Sequence, residues 1–173
     1  MKRPEILSPA GDLERLKFGR AVRRRCGICG RYGIRHAQRA EKFHDGAAGG
    51  GRALCPCQRA PVYLTLNTVP TNEEIARMPD FMRRARETGV DAFIVADLGV
   101  LAMAKHIAPE MELHVSTQAG IANYAAASAA YDLGAKRVVL ARELSLNDIA
   151  VIRDNTPPEL ELEAFVHGAM CMS

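Results

Sequence analysis

The feature that most constrains the fold is a short apolar segment that recurs roughly every 20 to 35 residues. In the segments 62–67, 91–97 and 137–142, apolar and β-branched side chains follow one another with little polar alternation. Continuous apolar strands are typical of a parallel sheet that is buried on both faces. Helix signals separate the segments, so the sequence predicts an α/β fold.

Turn and capping residues set the expected element boundaries. Thr71 followed by Glu74 has the pattern of a capping box, and Asp12 and Ser145 can each cap a helix. A break at Pro79 is expected inside the helix that Thr71 begins. The predicted strands are 5–8, 62–67, 91–97, 112–116, 137–142 and 160–167. The predicted helices begin at Leu13, Thr71, Leu98, Ala122 and Ser145.

The order of these elements favours a barrel over an open sheet. Residues 89–95 and 134–140 look like copies of one loop–strand unit. No glycine-rich dinucleotide fingerprint follows the first strand, where an open Rossmann sheet would carry it. A complete (β/α)₈ barrel needs about 250 residues, and the chain has 173. We therefore predict one truncated domain, 1–173, which is an incomplete TIM-type barrel of about seven strands.

Composition restricts where the protein works. No apolar run approaches the roughly 20 residues of a membrane span, and the first 16 residues lack the apolar core of a signal peptide. The expected location is the cytoplasm, where thiols stay reduced. The five cysteines therefore do not suggest a disulfide framework.

Residues 19–61 differ sharply from the rest of the chain. They contain ten of the 23 Lys and Arg residues but two of the 20 Asp and Glu residues, a net charge of +8. They also contain four of the five cysteines and eight of the 14 glycines. The segment offers no clear strand, so the second strand of the barrel is expected to be disrupted.

Polar side chains follow the predicted strands at their carboxyl ends, which is the edge where barrel enzymes carry their chemistry. Some of these residues could instead cap helices or close turns. Arg142 and Glu143 stand out, because adjacent charges at the end of an apolar strand are costly unless they are paired or used. The substrate-binding candidates are Asn67, Asp97, His114, Ser116, Gln118, Arg142, Glu143 and His167.

Four strings of residues together resemble one family. They are 5–12 (EILSPAGD), 64–68 (LTLNT), 140–145 (LARELS) and 165–173 (FVHGAMCMS). The resemblance is to peptidase family U32, the collagenase-like proteases, over residues 1–18 and 62–173. It implies a (β/α) barrel. Some members are described as proteases, and others act in hydroxylation of tRNA, rRNA or ubiquinone without dioxygen.

The resemblance also implies a metal cofactor for the intact protein, because some family members carry a [4Fe–4S] cluster. Cys171 would be one cluster ligand, and the family's further cysteines would follow Ser173. A cluster needs about four thiolates. We therefore expect no cofactor in this fragment and expect the fragment to be inactive. Taken alone, Cys171 could be a buried structural cysteine.

Two interpretations of residues 19–61 compete. The first is a zinc- and nucleic-acid-binding module built on Cys26, Cys29, Cys55 and Cys57, although the spacing departs from that of a zinc ribbon. The second is translation out of frame. With suitable synonymous codons, a shifted frame yields 43 residues that begin AVRYGADAVYAGG and lead directly into Val62. This shifted sequence contains a predicted strand and resembles the family throughout.

Three functions follow from these observations. The preferred hypothesis is a fragment of an iron–sulfur-dependent protein that hydroxylates tRNA or rRNA. A peptidase remains open within the family, although no nucleophile with an adjacent base and no His-Glu zinc helix is evident. The alternatives outside the family are the zinc module and an inert product of a damaged gene. The oligomeric state is not predicted.

Overall fold

The residues that the structure describes form a parallel sheet of seven strands, with helices between the strands from β3 onward. The computed structural model describes residues 7–9, 26–31 and 61–166, the second range by its backbone alone. The strands are β1 (Leu7–Pro9), β2 (Cys26–Arg31), β3 (Val62–Leu66), β4 (Ala92–Val95), β5 (Glu112–Val115), β6 (Arg137–Val139) and β7 (Glu161–Glu163). Neighbours in sequence are neighbours in the sheet, and every pair is parallel.

Four helices connect the later strands within the described residues. They are α1 (Asn72–Glu87), α2 (Leu98–Ile107), α3 (Tyr124–Asp132) and α4 (Leu146–Asp154). The predicted capping box is confirmed, because Thr71 Oγ1 accepts from the Glu74 backbone N–H while Glu74 accepts from the Thr71 N–H. Ser145 and Asp148 form a second capping box at α4.

Two boundary predictions need comment. Helix α1 runs through Pro79 without ending, so the expected break there is wrong. Met78 and Met82 on either side of it are fully buried, and this packing retains the helix despite one lost backbone hydrogen bond. The helix predicted from Leu13 lies outside the described residues.

The two faces of the sheet have different surroundings. On the outer face, alternate strand residues such as Leu64, Phe93 and Val138 form the main core with the helices. On the inner face, Tyr63, Ala92 and Ile94 form a second, smaller cluster. A sheet of sequentially ordered parallel strands with helices covering one face is the arrangement of a (β/α) barrel. The prediction of an incomplete barrel is therefore confirmed.

The expectation of a disrupted second strand is corrected by the structure. β2 pairs with β1 on one side and β3 on the other. Its register is irregular between Cys29 and Arg31. A strand within residues 23–31 that pairs on both sides counts against the interpretation that residues 19–61 are translated out of frame. Backbone hydrogen bonds to two neighbouring strands can hold a chain whose own strand propensity is weak.

The reading frame of the gene can be tested directly. If residues 19–61 are translated out of frame, DNA across codons 18 to 62 differs from that of close relatives by one base gained near one end and one lost near the other. Sequencing the gene from independent DNA provides the measurement. If close relatives encode the same cysteine-rich sequence at residues 19–61, the frameshift is ruled out.

Candidate functional site

The carboxyl ends of β3–β7 meet at one edge of the sheet, which we call the mouth. It consists of the described residues that follow these strands: 67–71, 96–97, 116–123, 140–145 and 164–166. Helices α2, α3 and α4 begin at the mouth, at Asp97, Asn123 and Ser145. Barrel enzymes build their sites from such loops.

Several candidate residues at the mouth have structural partners. Asp97 caps α2, and its carboxylate accepts from the Val100 N–H at 2.9 Å. Ser116 is buried and caps the short 3₁₀ turn Thr117–Ala119. Asn67 is half-buried in the loop after β3. The capping role considered for these residues holds for Asp97 and Ser116, and their contact with substrate stays a prediction.

Arg142 and Glu143 follow β6 but have different surroundings. The Arg142 guanidinium carbon lies 4.1 Å from the centre of the Phe165 ring, which follows β7, in cation–π geometry. Glu143 is exposed. Two hydrogen bonds tie the neighbouring backbone to the loop after β5: Thr117 Oγ1 donates to the Leu140 carbonyl at 3.1 Å, and the Ala141 N–H donates to the Ile121 carbonyl at 2.8 Å.

His114 is placed differently from the prediction. It is the third residue of β5, before the strand's end, and it is completely buried on the inner face of the sheet. Its ring meets the Tyr63 ring edge-on, with the centroids 4.6 Å apart. The prediction that His114 stands at the mouth is therefore wrong, because the alternation of strand side chains directs it into the barrel below Ser116.

An ion-pair cluster on the inner face was missed by the sequence analysis. Arg137, at the start of β6, donates to Glu161 Oε2 from Nε at 2.8 Å and from Nη2 at 2.5 Å. Its Nη1 donates to Glu163 at 3.3 Å, and its guanidinium lies 5.3 Å from the centre of the Tyr63 ring. The available signal was the period-two spacing of Glu161 and Glu163 on a strand beside one that begins with arginine.

Burial and charge shift the protonation of this cluster. Burial alone would lower the pKa of Arg137, but the hydrogen bonds to Glu161 and the charges of Tyr63, Glu161 and Glu163 raise it above its ordinary value. Burial also raises the pKa of the Glu163 carboxyl, against the opposing attraction of Arg137. The guanidinium therefore remains charged while it is largely shielded from water.

His114 is neutral in this environment. Burial, assisted by the Arg137 cation, lowers the pKa of His114 from 6.5 to about 3. Its Nε2 lies 3.4 Å from Glu112 Oε2, a carboxylate that can only accept, so Nε2 carries the ring proton in this arrangement. Among the described residues, neither the buried Nδ1 nor the buried Oε1 of Gln118 at the mouth has a hydrogen-bond partner.

Large apolar side chains are exposed around the mouth. They include Val69, Leu98, Tyr124, Leu146, Phe165 and Val166. Leu98, Tyr124 and Leu146 each occupy the first helical position after a capping residue. This positional regularity distinguishes the mouth from the rest of the described surface, where Leu133 and Val151 are the other exposed large apolar residues.

No metal site is evident in the described part of the chain. Within it, no three His, Cys, Asp or Glu side chains are arranged to hold a metal ion. His167 and Cys171 lie outside the described residues, so their predicted roles are untested by the geometry. The described residues alone therefore do not fit an iron–sulfur cluster, and no chemical step is derived through one. Among the helices of that same part, none is long and apolar enough to cross a membrane.

These features define the class as a (β/α)-barrel protein whose mouth combines one stacked arginine with exposed apolar side chains. The chain belongs to peptidase family U32, whose sequence model matches residues 27–173. The match runs through most of the segment 19–61, which corrects our expectation that the resemblance stops at residue 18 and resumes at 62.

Three curated relatives carry names that concern the family's activities. The chain is 38% identical to tRNA hydroxylation protein P of Helicobacter pylori over 175 residues, which cover 100% of the chain and 41% of the relative. It is 35% identical to an uncharacterized protease of Methanocaldococcus jannaschii, and the match covers 98% of the chain and 42% of that relative. It is 38% identical to the 23S rRNA 5-hydroxycytidine C2501 synthase of Escherichia coli, and the match covers 66% of the chain and 17% of that relative.

A solved structure has the same fold. Superposition on the U32 peptidase Mk0906 covers 95% of this chain and 70% of that protein, with a TM-score of 0.69 and 12% sequence identity. At that identity the similarity shows the fold alone. The chain spans about two fifths of the length of the curated relatives that it matches over its whole length.

The neutral state of buried His114 predicts an acid-sensitive fold. The unfolded chain takes up a proton as the pH falls below 6.5, whereas folded His114 stays neutral until about pH 3. The contribution of neutral His114 to the free energy of unfolding is therefore complete above pH 6.5, and it is lost as the pH falls towards 3. Between pH 7 and pH 4.5, His114 should account for about 2 kcal/mol of lost unfolding free energy.

Urea unfolding at both pH values provides the measurement. His114→Asn should show a smaller loss between pH 7 and pH 4.5 than the wild type. The exposed His106, whose Nδ1 donates to the Ala102 carbonyl of α2 at 2.8 Å, serves as the matched control, so His106→Asn should keep the wild-type loss. An equal loss in wild type and His114→Asn would contradict a neutral buried imidazole.

Proposed function

We propose that this chain is the barrel part of an RNA-hydroxylating protein that works without dioxygen, with tRNA as its main substrate. The observation that carries the proposal is the whole-length relationship to tRNA hydroxylation protein P. Two further relatives support it: tRNA hydroxylation protein P1 of Bacillus subtilis, at 33% identity, and tRNA hydroxylation protein P of Escherichia coli, at 34% identity. The rRNA-modifying relative supports an RNA substrate more generally.

The geometry is compatible with substrate binding at the mouth. Loops rather than core strands carry Asn67, Gln118, Arg142 and Glu143, and His167 follows in the sequence. Gln118 presents a carbonyl oxygen that lacks a partner within the described structure. These residues are proposed to contact substrate, while Asp97 and Ser116 shape the loops by capping. His114 is proposed to support the mouth from inside the barrel, through its contact with Tyr63, and not to contact the substrate itself.

A peptidase activity has less support. The name of one relative favours it, but the described hydroxyls that donate to a carboxylate, those of Thr71 and Ser145, belong to helix capping boxes. The zinc-binding alternative also has little support, because Cys26 and Cys29 lie in strand β2 rather than in the turn that a zinc-binding Cys-x-x-Cys pair normally occupies. We therefore retain hydroxylation as the conclusion.

The proposal is tested in an Escherichia coli strain that lacks its own tRNA hydroxylation protein P. We expect the chain alone to leave the tRNA unmodified. A chimera that continues from Ser173 with the remainder of the Escherichia coli protein should restore the hydroxylated nucleoside, measured as a gain of one oxygen mass in digested tRNA. Restoration by the chain alone would show that the fragment is active. Failure of a stably folded chimera, with intact expression, would contradict the proposed function.

The iron–sulfur prediction concerns Cys171. The chain alone should purify without colour or iron. The chimera purified without oxygen should show broad visible absorption and bound iron, and Cys171→Ala should remove both, because a missing thiolate leaves the cluster one ligand short. Cys57→Ala is the matched control and should keep the iron. A chimera that retains all its iron after Cys171→Ala would make Cys171 a structural residue.

A further inference from the structure

Arg142 has a distinctive position among the mouth residues. In the described loops that follow β3–β7, it is the only basic side chain, whereas Asp97 and Glu143 bring negative charge. An anionic group that reaches the mouth therefore meets one cation there. Arginine is well suited to such a partner, because its planar guanidinium offers five donors that match the oxygens of phosphate or carboxylate.

The arginine is held in a defined orientation. The Phe165 ring, 4.1 Å from the guanidinium carbon, limits the directions in which the donors can point. The preceding residue, Ala141, is fixed by its hydrogen bond to Ile121. A side chain that is oriented before binding loses less conformational freedom when the ligand arrives. Phe165 can therefore raise the affinity of Arg142 without contacting the ligand.

The acidic groups nearest to the mouth are partly occupied. Asp97 accepts from the backbone of α2, and Asp148 accepts from the Ser145 N–H and hydroxyl in the α4 capping box. Hydrogen bonding to Ser145 also lowers the pKa of Asp148, so the charge is retained at the helix start. The positive ends of α2, α3 and α4 face the same loops. The carboxylates of Asp97 and Asp148 and the positive helix starts that they cap offset each other's charge in part, so the acidic residues of the mouth leave room for an anion beside Arg142.

We propose that Arg142, oriented by the stacked Phe165 ring, binds a phosphate group of the substrate at the mouth. Phe165 is then a positioning residue that acts through Arg142. The assignment of the phosphate to RNA rests on the proposed function, whereas the same chemistry would also bind a free phosphate or a small phosphorylated molecule. The two sources are separated by the choice of probe.

The first experiment measures binding of the purified protein to unfractionated tRNA over a series of KCl concentrations. Arg142→Gln should weaken binding about tenfold and reduce the salt slope by about one, the change expected when one phosphate contact is lost. Arg142→Lys keeps the charge and should keep the slope while losing part of the affinity. Arg84→Gln, an exposed arginine in the last turn of α1, is the matched control and should bind like the wild type.

The second experiment separates positioning from direct stacking on a base. Phe165→Leu should weaken tRNA binding about threefold in the wild-type background. The loss is smaller than tenfold because Arg142 becomes less ordered but still forms part of its charged hydrogen bonds. Phe165→Leu should have no further effect in an Arg142→Gln background, and Phe165→Tyr should restore affinity because it keeps the ring. Leu133→Ala, another exposed apolar residue, is the control. Additive losses in the double variant would overturn the positioning role.

The third measurement uses inorganic phosphate as the probe. Phosphate should raise the Tm of the wild type and of Arg84→Gln but leave the Tm of Arg142→Gln unchanged. If phosphate gives this Arg142-dependent shift in the chimera with the Escherichia coli protein while that chimera binds no tRNA, the proposed RNA function fails and the anion site stands. If tRNA binds wild type and Arg142→Gln with equal affinity and equal salt slope, the inference is overturned and the RNA function stands.

Discussion

The return of the chain through a helix after each of the strands β3–β6 is the constraint on which the described structure depends. Because parallel neighbours cannot be joined by a tight turn, the chain crosses back along the outer face and begins each strand at the same edge. All carboxyl ends of β3–β7 therefore meet at the mouth, and all charged residues at the strand starts lie at the opposite end. The location of Arg142 and that of Arg137 follow from this one rule.

The inner face shows how a barrel can accommodate charge. Arg137 lies on a strand whose other residues are apolar, yet Glu161 and Glu163 on β7 supply carboxylates at hydrogen-bonding distance. Arg137 is largely buried, whereas Glu161 is exposed and Glu163 is half-buried, so removing the carboxylates would leave a shielded cation without its partners, which is destabilising. The same guanidinium acts on His114 through space, so the neutral imidazole and the ion pair are parts of one electrostatic arrangement.

Sequence reasoning predicted the architecture well because the relevant signals are local. Continuous apolar strands, the capping box at Thr71 and the helix cap at Ser145 each depend on a few neighbouring residues. The positions of His114 and of the Arg137 cluster were not found, since they depend on strand register between separate units. The continuity of α1 through Pro79 likewise depends on the packing of Met78 and Met82, which the local pattern does not show.

The strand β2 carries a consequence for how such genes can change. A parallel strand is held largely by main-chain groups, and main-chain groups are the same whatever the codons specify. A barrel unit can therefore keep its place in the sheet when its side chains change, provided that the number of residues between its neighbouring strands is conserved. In this architecture, the length of a unit constrains the fold more strictly than the identity of its residues.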